Sequence, residues 1–335
     1  MPTVLGSLRS LALTPSLAKV SFAGRGFPVT PTAATRHLEE VPQAVVCGFE
    51  WAIDARDQWE LECRLNLVGP EMRGFAYEGA TMAYTVLDAM RGGRGTRTRE
   101  LLRGPGSPHI FLTYIGIGFA MSHLPRPLWK RVVPDLTGQP YHPTMSWLAV
   151  DGYGFDKAYF DTARVVDGQR RLAPYPWEGR ADYFPHAIDQ GIGRALWFIH
   201  GGRPAAVSEA VERFEPQRRA DLWSGVGLAA TFAGGAEAEE VAALRRSARA
   251  QDETYELHLA QGSVFAAKAR AYAGFVPAHT ETAVDVLTGL TVAAASELAD
   301  AVADDRGGDA AAPRYEQWRH SIRRHFADTW SRLHA

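Results

Sequence analysis

The sequence feature that most constrains the fold is a Gly-x-Gly motif that recurs four times within apolar segments. Its occurrences, at intervals of 36, 39 and 34 residues, are Gly116-Ile-Gly118, Gly152-Tyr-Gly154, Gly191-Ile-Gly193 and Gly225-Val-Gly227. These intervals are typical of helical-hairpin repeats. A glycine inside a helix costs about 1 kcal/mol relative to alanine unless close packing compensates. The recurrence therefore predicts either close helix-to-helix packing or an approach of the backbone to a ligand.

Hydrophobic periodicity elsewhere also favours helices. Apolar residues recur at spacings of three or four, as on one face of an amphipathic helix, at Leu38, Val41, Val45, Phe49 and Ile53. Residues 59–67 alternate between apolar and polar, so a strand and part of a helix both remain open there. We expect a mainly α fold of degenerate helical-hairpin repeats, similar to an α-solenoid or an α/α toroid, in one compact domain.

The domain organisation is inferred from composition. Residues 299–313 are acidic, rich in alanine and poor in large apolar side chains, which is typical of a linker. We therefore expect a Gly-rich α-helical domain over residues 1–298, an acidic Ala/Gly-rich linker over 299–313 and a C-terminal helix over 314–335. The first twenty residues are interpreted as a short amphipathic helix, which could dock onto a membrane protein.

Composition and charge exclude several functional classes. A net charge of -2 disfavours nucleic acid as a partner. The two cysteines, Cys47 and Cys63, have no clustered partners at zinc spacing, so no metal site is expected. No stretch approaches the roughly 20 apolar residues of a membrane span. We expect a cytoplasmic protein, with peripheral attachment to a membrane complex left open. The cofactor stays unknown, and self-association into a homo-oligomer is left open.

Dinucleotide binding is disfavoured although Gly225-Val-Gly227-Leu-Ala-Ala230 matches the relaxed G-x-G-x-x-A fingerprint. That fingerprint requires a buried strand immediately before it, and the preceding residues 218–224 are largely polar. P-loop, zinc-protease and nucleophile-elbow motifs are absent from the sequence as well. Common nucleotide-dependent and hydrolytic activities are therefore not indicated.

The candidate catalytic residues are acids that lie beside aromatic residues. Asp151 and Asp156 belong to the segment DGYGFDKAYFD, where an apolar environment would raise a carboxyl pKa and favour a general acid or base. Asp189 and Arg194 are predicted to orient polar groups of a substrate, and His186 could join a polar cluster beside them. The remaining candidates would line an apolar pocket near the predicted helix starts: Glu78, Tyr153, Phe155, Trp197, Asp221, Trp223, Gln261 and Lys268.

Each candidate also has a structural interpretation, which stays open. The acids could cap helices, where an aspartate accepts hydrogen bonds from free backbone N–H groups. Arg194 and Lys268 could form ordinary ion pairs, and the tryptophans could simply pack in the core.

Several long strings, in order, resemble one bacterial family, domain-of-unknown-function family 1702, over most of the chain. They are GFAYEGA at 74–80, DGYGF at 151–155, DQGIGRALW at 189–197, DLWSGVGLA at 221–229 and QGSVFAAKAR at 261–270. This family includes UnbL-like proteins of enediyne biosynthetic clusters. The resemblance implies a biosynthetic setting with an iterative polyketide synthase, a thioesterase, a UnbV-like protein and a UnbU-like membrane protein. It supplies no catalytic residues.

The leading hypothesis is a tailoring component of enediyne-type polyketide biosynthesis, a biosynthetic enzyme or subunit that binds or converts a linear hydrophobic polyene or related small molecule. One alternative is a non-catalytic helical-repeat scaffold for neighbouring biosynthetic proteins. Another is a polyene or terpenoid cyclase in which an aspartate supplies the proton as general acid.

Overall fold

The computed structural model describes residues 16–92, 95–305, 309 and 311–334, with side chains to residue 332. Within these ranges the regular structure is helical and contains no strand, so the prediction of a mainly α class is confirmed. The described residues form two compact units. Unit 1 contains 16–27 and Glu39–Asp156, and unit 2 contains Pro28–Leu38 and the described part of 157–335.

The first half of the described chain contains eight α-helices, and short 3-10 segments occur between some of them. They are α1 Leu17–Val20, α2 Phe22–Arg25, α3 Ala33–Asp54, α4 Gln58–Leu65, α5 Pro70–Met90, α6 Arg97–Arg103, α7 Ile110–His123 and α8 Trp147–Phe160. The second half contains eight more. They are α9 Phe184–Ile199, α10 Pro204–Glu212, α11 Pro216–Ala233, α12 Ala238–Gln251, α13 Tyr255–Ala273, α14 Ala278–Thr288, α15 Val292–Ala301 and α16 Arg314–His334.

Local sequence signals explain many helix ends. Pro70, Pro204 and Pro216 each occupy the first helical position, where the missing N–H costs nothing. Gly274 and Gly289 follow α13 and α14 in the left-handed conformation that glycine adopts most readily. Proline therefore marks the start of α5, α10 and α11, and glycine marks the end of α13 and α14.

The ambiguous segment at residues 59–67 is helical over most of its length, in α4. Asp57 caps this helix, because its Oδ1 accepts a hydrogen bond of 2.9 Å from the backbone N–H of Glu60. Leu61 and Leu65 are fully buried at a spacing of four. The cap and this spacing favour the helix over the strand.

The Gly-x-Gly motif of α11 allows close packing on two sides. A Cβ on Gly225 would lie 1.9 Å from the carbonyl oxygen of Gln190 in α9, and one on Gly227 would lie 2.1 Å from that of Leu259 in α13. Residues two apart in a helix point about 200° apart, so the two glycines face opposite neighbours. Helix α11 is thus held between α9 and α13.

Unit 1 uses the same device in α7. A Cβ on Gly116 would lie 2.1 Å from the carbonyl oxygen of Glu78 in α5, and one on Gly118 would lie 2.1 Å from that of Ala149 in α8. At these glycines the prediction of close helix packing is confirmed.

Two other regions bear on the predicted organisation. Helix α15 extends into the segment predicted as a linker, where Ala299 is buried and its carbonyl accepts a 2.7 Å hydrogen bond from Trp318 Nε1. Residues 306–308 and 310 of that segment, and residues 1–15 of the predicted N-terminal helix, lie outside the described residues.

No single helix in the described ranges is long and apolar enough to cross a membrane. The bent pair α14 and α15, at 63° to each other, passes such a test together by length and composition only.

Candidate functional site

Three predicted aspartates lie inside helices, not at their starts. Helices α8, α9 and α11 begin at Trp147, Phe184 and Pro216, at least one turn before Asp151, Asp189 and Asp221. The interpretation of these residues as helix caps was therefore wrong, because the helices begin earlier, at apolar residues or proline. All three side chains are buried. A buried carboxylate requires hydrogen bonds or an opposite charge.

Asp221 is the centre of a buried polar network in unit 2. Its Oδ2 lies 2.7 Å from His186 Nδ1, and its Oδ1 accepts hydrogen bonds from Gln190 Nε2 at 3.0 Å and Arg319 Nη2 at 3.1 Å. Burial alone would raise its pKa. The hydrogen bond from His186 and the charge of Arg319 outweigh burial and hold the pKa of Asp221 below its usual range. Asp221 is accordingly a carboxylate at neutral pH.

Arg319 of α16 connects this carboxylate to three further groups. Its guanidinium donates to Gln261 Oε1 at 3.1 Å, to the Tyr183 hydroxyl at 2.7 Å and to Glu316 Oε2. The side chain is only 1% exposed. A buried guanidinium is stable when its donors are used and its charge is compensated, as they are here by Asp221 and Glu316. The network thus links α11, α13 and α16.

Gln190 fixes the same carboxylate from α9. Its amide nitrogen donates to Asp221 and to the Tyr183 hydroxyl, the latter at 3.2 Å. Its oxygen accepts a hydrogen bond of 3.1 Å from the Tyr315 hydroxyl. Because both ends of the amide have partners, Asp221 is held in one orientation.

His186 is the accessible member of the network. Its side chain is 52% exposed, although its ring stacks on Tyr183 with centroids 5.5 Å apart. The hydrogen bond to Asp221 raises the pKa of His186, and partial burial opposes that effect. Asp221 favours the tautomer with the proton on Nδ1, which leaves Nε2 to accept or donate a proton. This pair has the geometry of a general acid–base group.

His258 on α13 is a second histidine near Asp221. Burial and the positive charge of Arg323 lower its pKa to about 3, so the ring is neutral at physiological pH. Its Nδ1 is buried and has no hydrogen-bond partner among the described residues. His258 therefore adds a neutral polar ring to the site and no competing charge.

Asp189 forms a separate ion pair with Arg218. Arg218 Nε lies 3.0 and 3.1 Å from the two carboxylate oxygens, and Nη2 lies 2.6 Å from Oδ1. Burial raises the pKa of Asp189 to about 6, and Arg218 opposes that rise. This ion pair joins α9 to α11, which gives Asp189 a structural role. Its catalytic role stays a prediction. Arg194, in the same helix, is also buried.

The remaining unit 2 candidates are anchored to backbone or side-chain partners. Trp197 Nε1 donates to the Gly234 carbonyl at 2.8 Å, and Trp223 Nε1 donates to Gln251 Oε1 at 3.2 Å. Lys268 Nζ lies 2.6 Å from Asp300 Oδ2. These hydrogen bonds and this ion pair connect neighbouring elements of unit 2, so Trp197, Trp223 and Lys268 each have a structural role.

The predicted aromatic residues of unit 1 pack on other rings. Tyr153 meets Trp129 edge-on with centroids 4.9 Å apart, and Phe155 lies 5.6 Å from Phe119 in a tilted arrangement. The acids Glu78 and Asp151 are 3% and 1% exposed. Asp156 Oδ2 lies 3.8 Å from Nε2 of the exposed His123. The candidate residues are thus divided between the two units.

Sequence reasoning missed Arg319, a partner of Asp221, and Glu316, which pairs with Arg319. Helix α16 carries a signal for them. Apolar residues recur along this helix at spacings of three or four, at Tyr315, Trp318, Ile322 and Phe326. A charged residue comes directly after each of the first three, at Glu316, Arg319 and Arg323. A charged row that adjoins the apolar face lies at the edge of the buried surface, where a charge needs a partner.

The comparisons with known proteins agree with the sequence resemblance. No curated protein and no solved structure matches the chain. Residues 4–326 match the family described as "Protein of unknown function (DUF1702)", which covers nearly the whole sequence. The chain belongs to this DUF1702 family.

Proposed function

We propose that the protein is a biosynthetic tailoring enzyme that acts on a linear hydrophobic polyene or a related chain, with His186 and Asp221 as its proton-transfer pair. The observation that carries this proposal is the 2.7 Å contact between a buried carboxylate and a half-exposed imidazole. The substrate class rests on the family resemblance, and the proton-transfer role rests on the geometry. The two parts can fail separately.

The chemistry that suits this pair is a proton shift along a conjugated chain. His186 Nε2 takes a proton from a carbon next to an unsaturated group, and Asp221 stabilises the resulting imidazolium. The same imidazolium then returns the proton to another carbon of the chain. The double bonds move, the composition of the chain does not change and no oxidant is needed.

A rival assignment puts the general acid at Asp151 or Asp156, as the cyclase alternative requires. Both acids are buried in α8, and Asp156 lies near His123. The aromatic residues Tyr153 and Phe155 lie on the same helix and pack on other rings, which supports this alternative. The two assignments use different residues and are separable by substitution.

The discriminating experiment is deletion of the gene in a producing strain and complementation with wild type, His186→Gln or Asp151→Asn. Accumulated hydrophobic metabolites are profiled by mass spectrometry. We expect a linear polyene to accumulate in the deletion strain, and Asp151→Asn but not His186→Gln to restore the product. Arg324→Gln, at an exposed ion pair with Asp305, is the matched control and should restore it. Immunoblots verify equal protein levels.

The reverse pattern, with product restored by His186→Gln and lost with Asp151→Asn, would move the chemistry to α8. Restoration by both variants would contradict both assignments. A cyclic product formed from an isolated linear hydrocarbon by purified protein would favour the cyclase alternative.

A second candidate function is a scaffold, and exposed apolar side chains beside α4 support it. Trp59, on α4, is 72% exposed and Leu67, just after it, is 83% exposed. Large exposed apolar side chains mark protein–protein contacts when they belong to one patch. If this function applies, Trp59→Ser with Leu67→Ser should abolish both product formation and co-purification with the UnbV-like or UnbU-like protein. His186→Gln should then have no effect on either.

A further inference from the structure

His258 is a polar side chain beside Asp221 that makes no hydrogen bond with the described residues. The other polar side chains of the network each make at least one: His186, Gln190, Tyr183, Gln261, Arg319 and Glu316. The Nδ1 atom of His258 is buried without a partner, but the ring as a whole is partly exposed. Its Nε2 atom has no partner in the described chain either and is not among the buried atoms. The imidazole is therefore accessible at Nε2.

The surroundings of His258 favour a proton on that accessible nitrogen. Burial and the positive charge of Arg323 keep the ring neutral, so it carries one N–H and one bare nitrogen. In protein backbones, buried N–H groups without an acceptor are rarer than buried acceptors without a donor. By the same reasoning we expect the bare nitrogen at the buried Nδ1. The Nε2–H group is then a hydrogen-bond donor that is open to a ligand.

His258 lies at the same end of the helices as the proton-transfer pair. Hydrogen bonds between α9, α11 and α13 join early residues to early residues and late residues to late ones, so the three helices run in the same direction: Gln190 with Asp221, Trp197 with Gly234, Ser224 with Gln261, and Phe232 with Arg270. His186 lies in the first turn of α9, and His258 lies in the first turn of α13. The negative charge of Asp221 acts on the pKa of both histidines, in agreement with this placement. The two rings therefore flank α11 at one end of unit 2.

Proton removal from carbon needs a group that takes up the negative charge left behind. Imidazole is too weak a base to leave that charge on a bare hydrocarbon. A carbonyl group conjugated with the chain accepts the charge on its oxygen, as an enolate. Hydrogen-bond donors aimed at a developing enolate oxygen stabilise it, and a neutral imidazole N–H can serve as such a donor. An accessible Nε2–H beside the base suits this role.

We propose that the substrate of the site is a polyene conjugated with a carbonyl group, and that His258 Nε2–H binds the carbonyl oxygen. When His186 removes a proton from the chain, the electron pair of the broken C–H bond moves through the double bonds to that oxygen. The His186 imidazolium then protonates another carbon, which reforms the carbonyl group without an oxidant or a co-reactant. The substrate class rests on the proposed function, whereas binding of the carbonyl oxygen by His258 can be measured separately.

The test uses the purified full chain and two probes. One is the N-acetylcysteamine thioester of 2,4,6-octatrienoic acid, labelled with ¹³C at the carbonyl carbon, and the other is 2,4,6-octatriene, which has no carbonyl. Difference infrared spectroscopy reports a hydrogen bond to the carbonyl oxygen as a shift of the C=O stretch to lower frequency. Deuterium that enters the terminal methyl groups from heavy water, measured by mass spectrometry, reports proton removal.

We expect wild type to shift the C=O stretch of the thioester and to exchange the thioester but not octatriene. His258→Phe keeps a flat ring without an N–H, so it should lose the shift and exchange at least about 100-fold more slowly, the usual effect of removing one such donor. His258→Gln keeps an N–H donor at a similar position, so its loss should be less than about tenfold. His186→Gln should keep the shift and lose the exchange.

His325→Phe is the matched control, because it makes the same change at an exposed position of α16. It should leave the shift and the exchange rate unchanged. Circular dichroism spectra establish that each variant is folded.

A further measurement needs no variant. In wild type labelled with ¹⁵N-histidine, the Nε2 of His258 should carry the proton, and its resonance should move on addition of the thioester but not of octatriene.

Several results would overturn the proposal. They are a C=O shift retained in His258→Phe, equal exchange rates in His258→Phe and His258→Gln, a thioester that does not bind, and a His258 resonance that does not respond to it. Exchange of octatriene at the rate of the thioester would contradict the substrate class. A C=O shift that depends on His258, without exchange in wild type, would instead contradict the role of His186 and leave carbonyl binding by His258 in place.

Discussion

Arg319 shows how one residue can hold a polar site together inside a helical core. Its guanidinium contacts two acids, Asp221 and Glu316, as well as Tyr183 and Gln261. The buried carboxylate of Asp221 could not stay ionised without compensating partners, because transfer of a charge from water into a protein interior is costly. Arg319, together with the hydrogen bond from His186, therefore keeps Asp221 in the charged form that raises the pKa of His186.

Replacing Arg319 with methionine should lower the free energy of unfolding by roughly 3–5 kcal/mol, the usual effect of removing one partner from a buried ion pair. Urea denaturation followed by circular dichroism measures this change. Arg324→Met is the control, because the ion pair of Arg324 with Asp305 is largely exposed and should contribute no more than about 1 kcal/mol. Equal losses in the two variants would contradict the role of Arg319.

His258 gives the stability a defined pH dependence. Its pKa is about 3 in the folded protein and about 6.5 in an unfolded chain. Between these values the unfolded state binds more protons, so the contribution of His258 to the free energy of unfolding rises with pH from about 3 to 6.5. His258→Gln should reduce that slope by at most about 1.4 kcal/mol per pH unit.

Urea denaturation at pH 4.5, 5.5 and 6.5 measures the slope. His200 is a useful comparison, because burial lowers its pKa to about 4 and gives its contribution the same sign over a narrower window. An unchanged slope in His258→Gln, alongside a reduced slope in His200→Gln, would show that His258 is not held in the neutral form.

At the scale of helices, close packing at glycine determines how α9, α11 and α13 align. Gly227→Ala would place a Cβ 2.1 Å from the Leu259 carbonyl oxygen, so α11 and α13 must separate. Overpacking of this kind costs typically about 1–3 kcal/mol, which outweighs a gain of about 1 kcal/mol in helix propensity. We expect a lower melting temperature for this variant.

Gly69→Ala is the control for this prediction. Its Cβ would have no neighbour within 4 Å. Gly69 precedes α5 at the N-cap, so its replacement should cost only part of a capping preference. Melting curves that fall equally for Gly69→Ala and Gly227→Ala would contradict the assignment of Gly227 to the helix interface.

The helices themselves were predictable because their signals are local. The stripe from Leu38 to Ile53 lies within α3, and proline marks the start of α11 at Pro216. The start of α9 was harder to predict, because Asp189, just before the Gly-x-Gly string, was interpreted as a possible helix cap. Helical residues precede it from Phe184 onward. The spacing of the glycines indicates where a helix packs against its neighbours. Where the helix begins depends on other residues.

At the scale of the molecule, the division into two units has little sequence signal. The boundary after Asp156 falls within α8, where neither a linker composition nor a turn marks it. Membership of DUF1702 was predictable from long ordered strings, since it requires no knowledge of contacts. Which helices pack into which unit depends on long-range contacts that no local pattern encodes.

The candidate site was predictable only in part. Asp221 and Gln261 were singled out individually, and the structure joins them through Arg319. Arg319 lies 98 residues beyond Asp221 in the chain. His186 was noted as a member of a polar cluster, but its contact with Asp221 spans 35 residues. Residue spacing along one helix gives no information on pairs at such separations.

The most direct test of the account is an NMR titration of His186 in protein labelled with ¹⁵N-histidine, for wild type and Asp221→Asn. In wild type we predict a proton on Nδ1 of the neutral ring and a pKa above the usual value of about 6.5 for histidine. The pKa should fall in Asp221→Asn, because the charged hydrogen-bond acceptor is lost. An unchanged pKa in that variant, or a neutral ring protonated on Nε2 in wild type, would contradict the assignment of His186 and Asp221 as the proton-transfer pair.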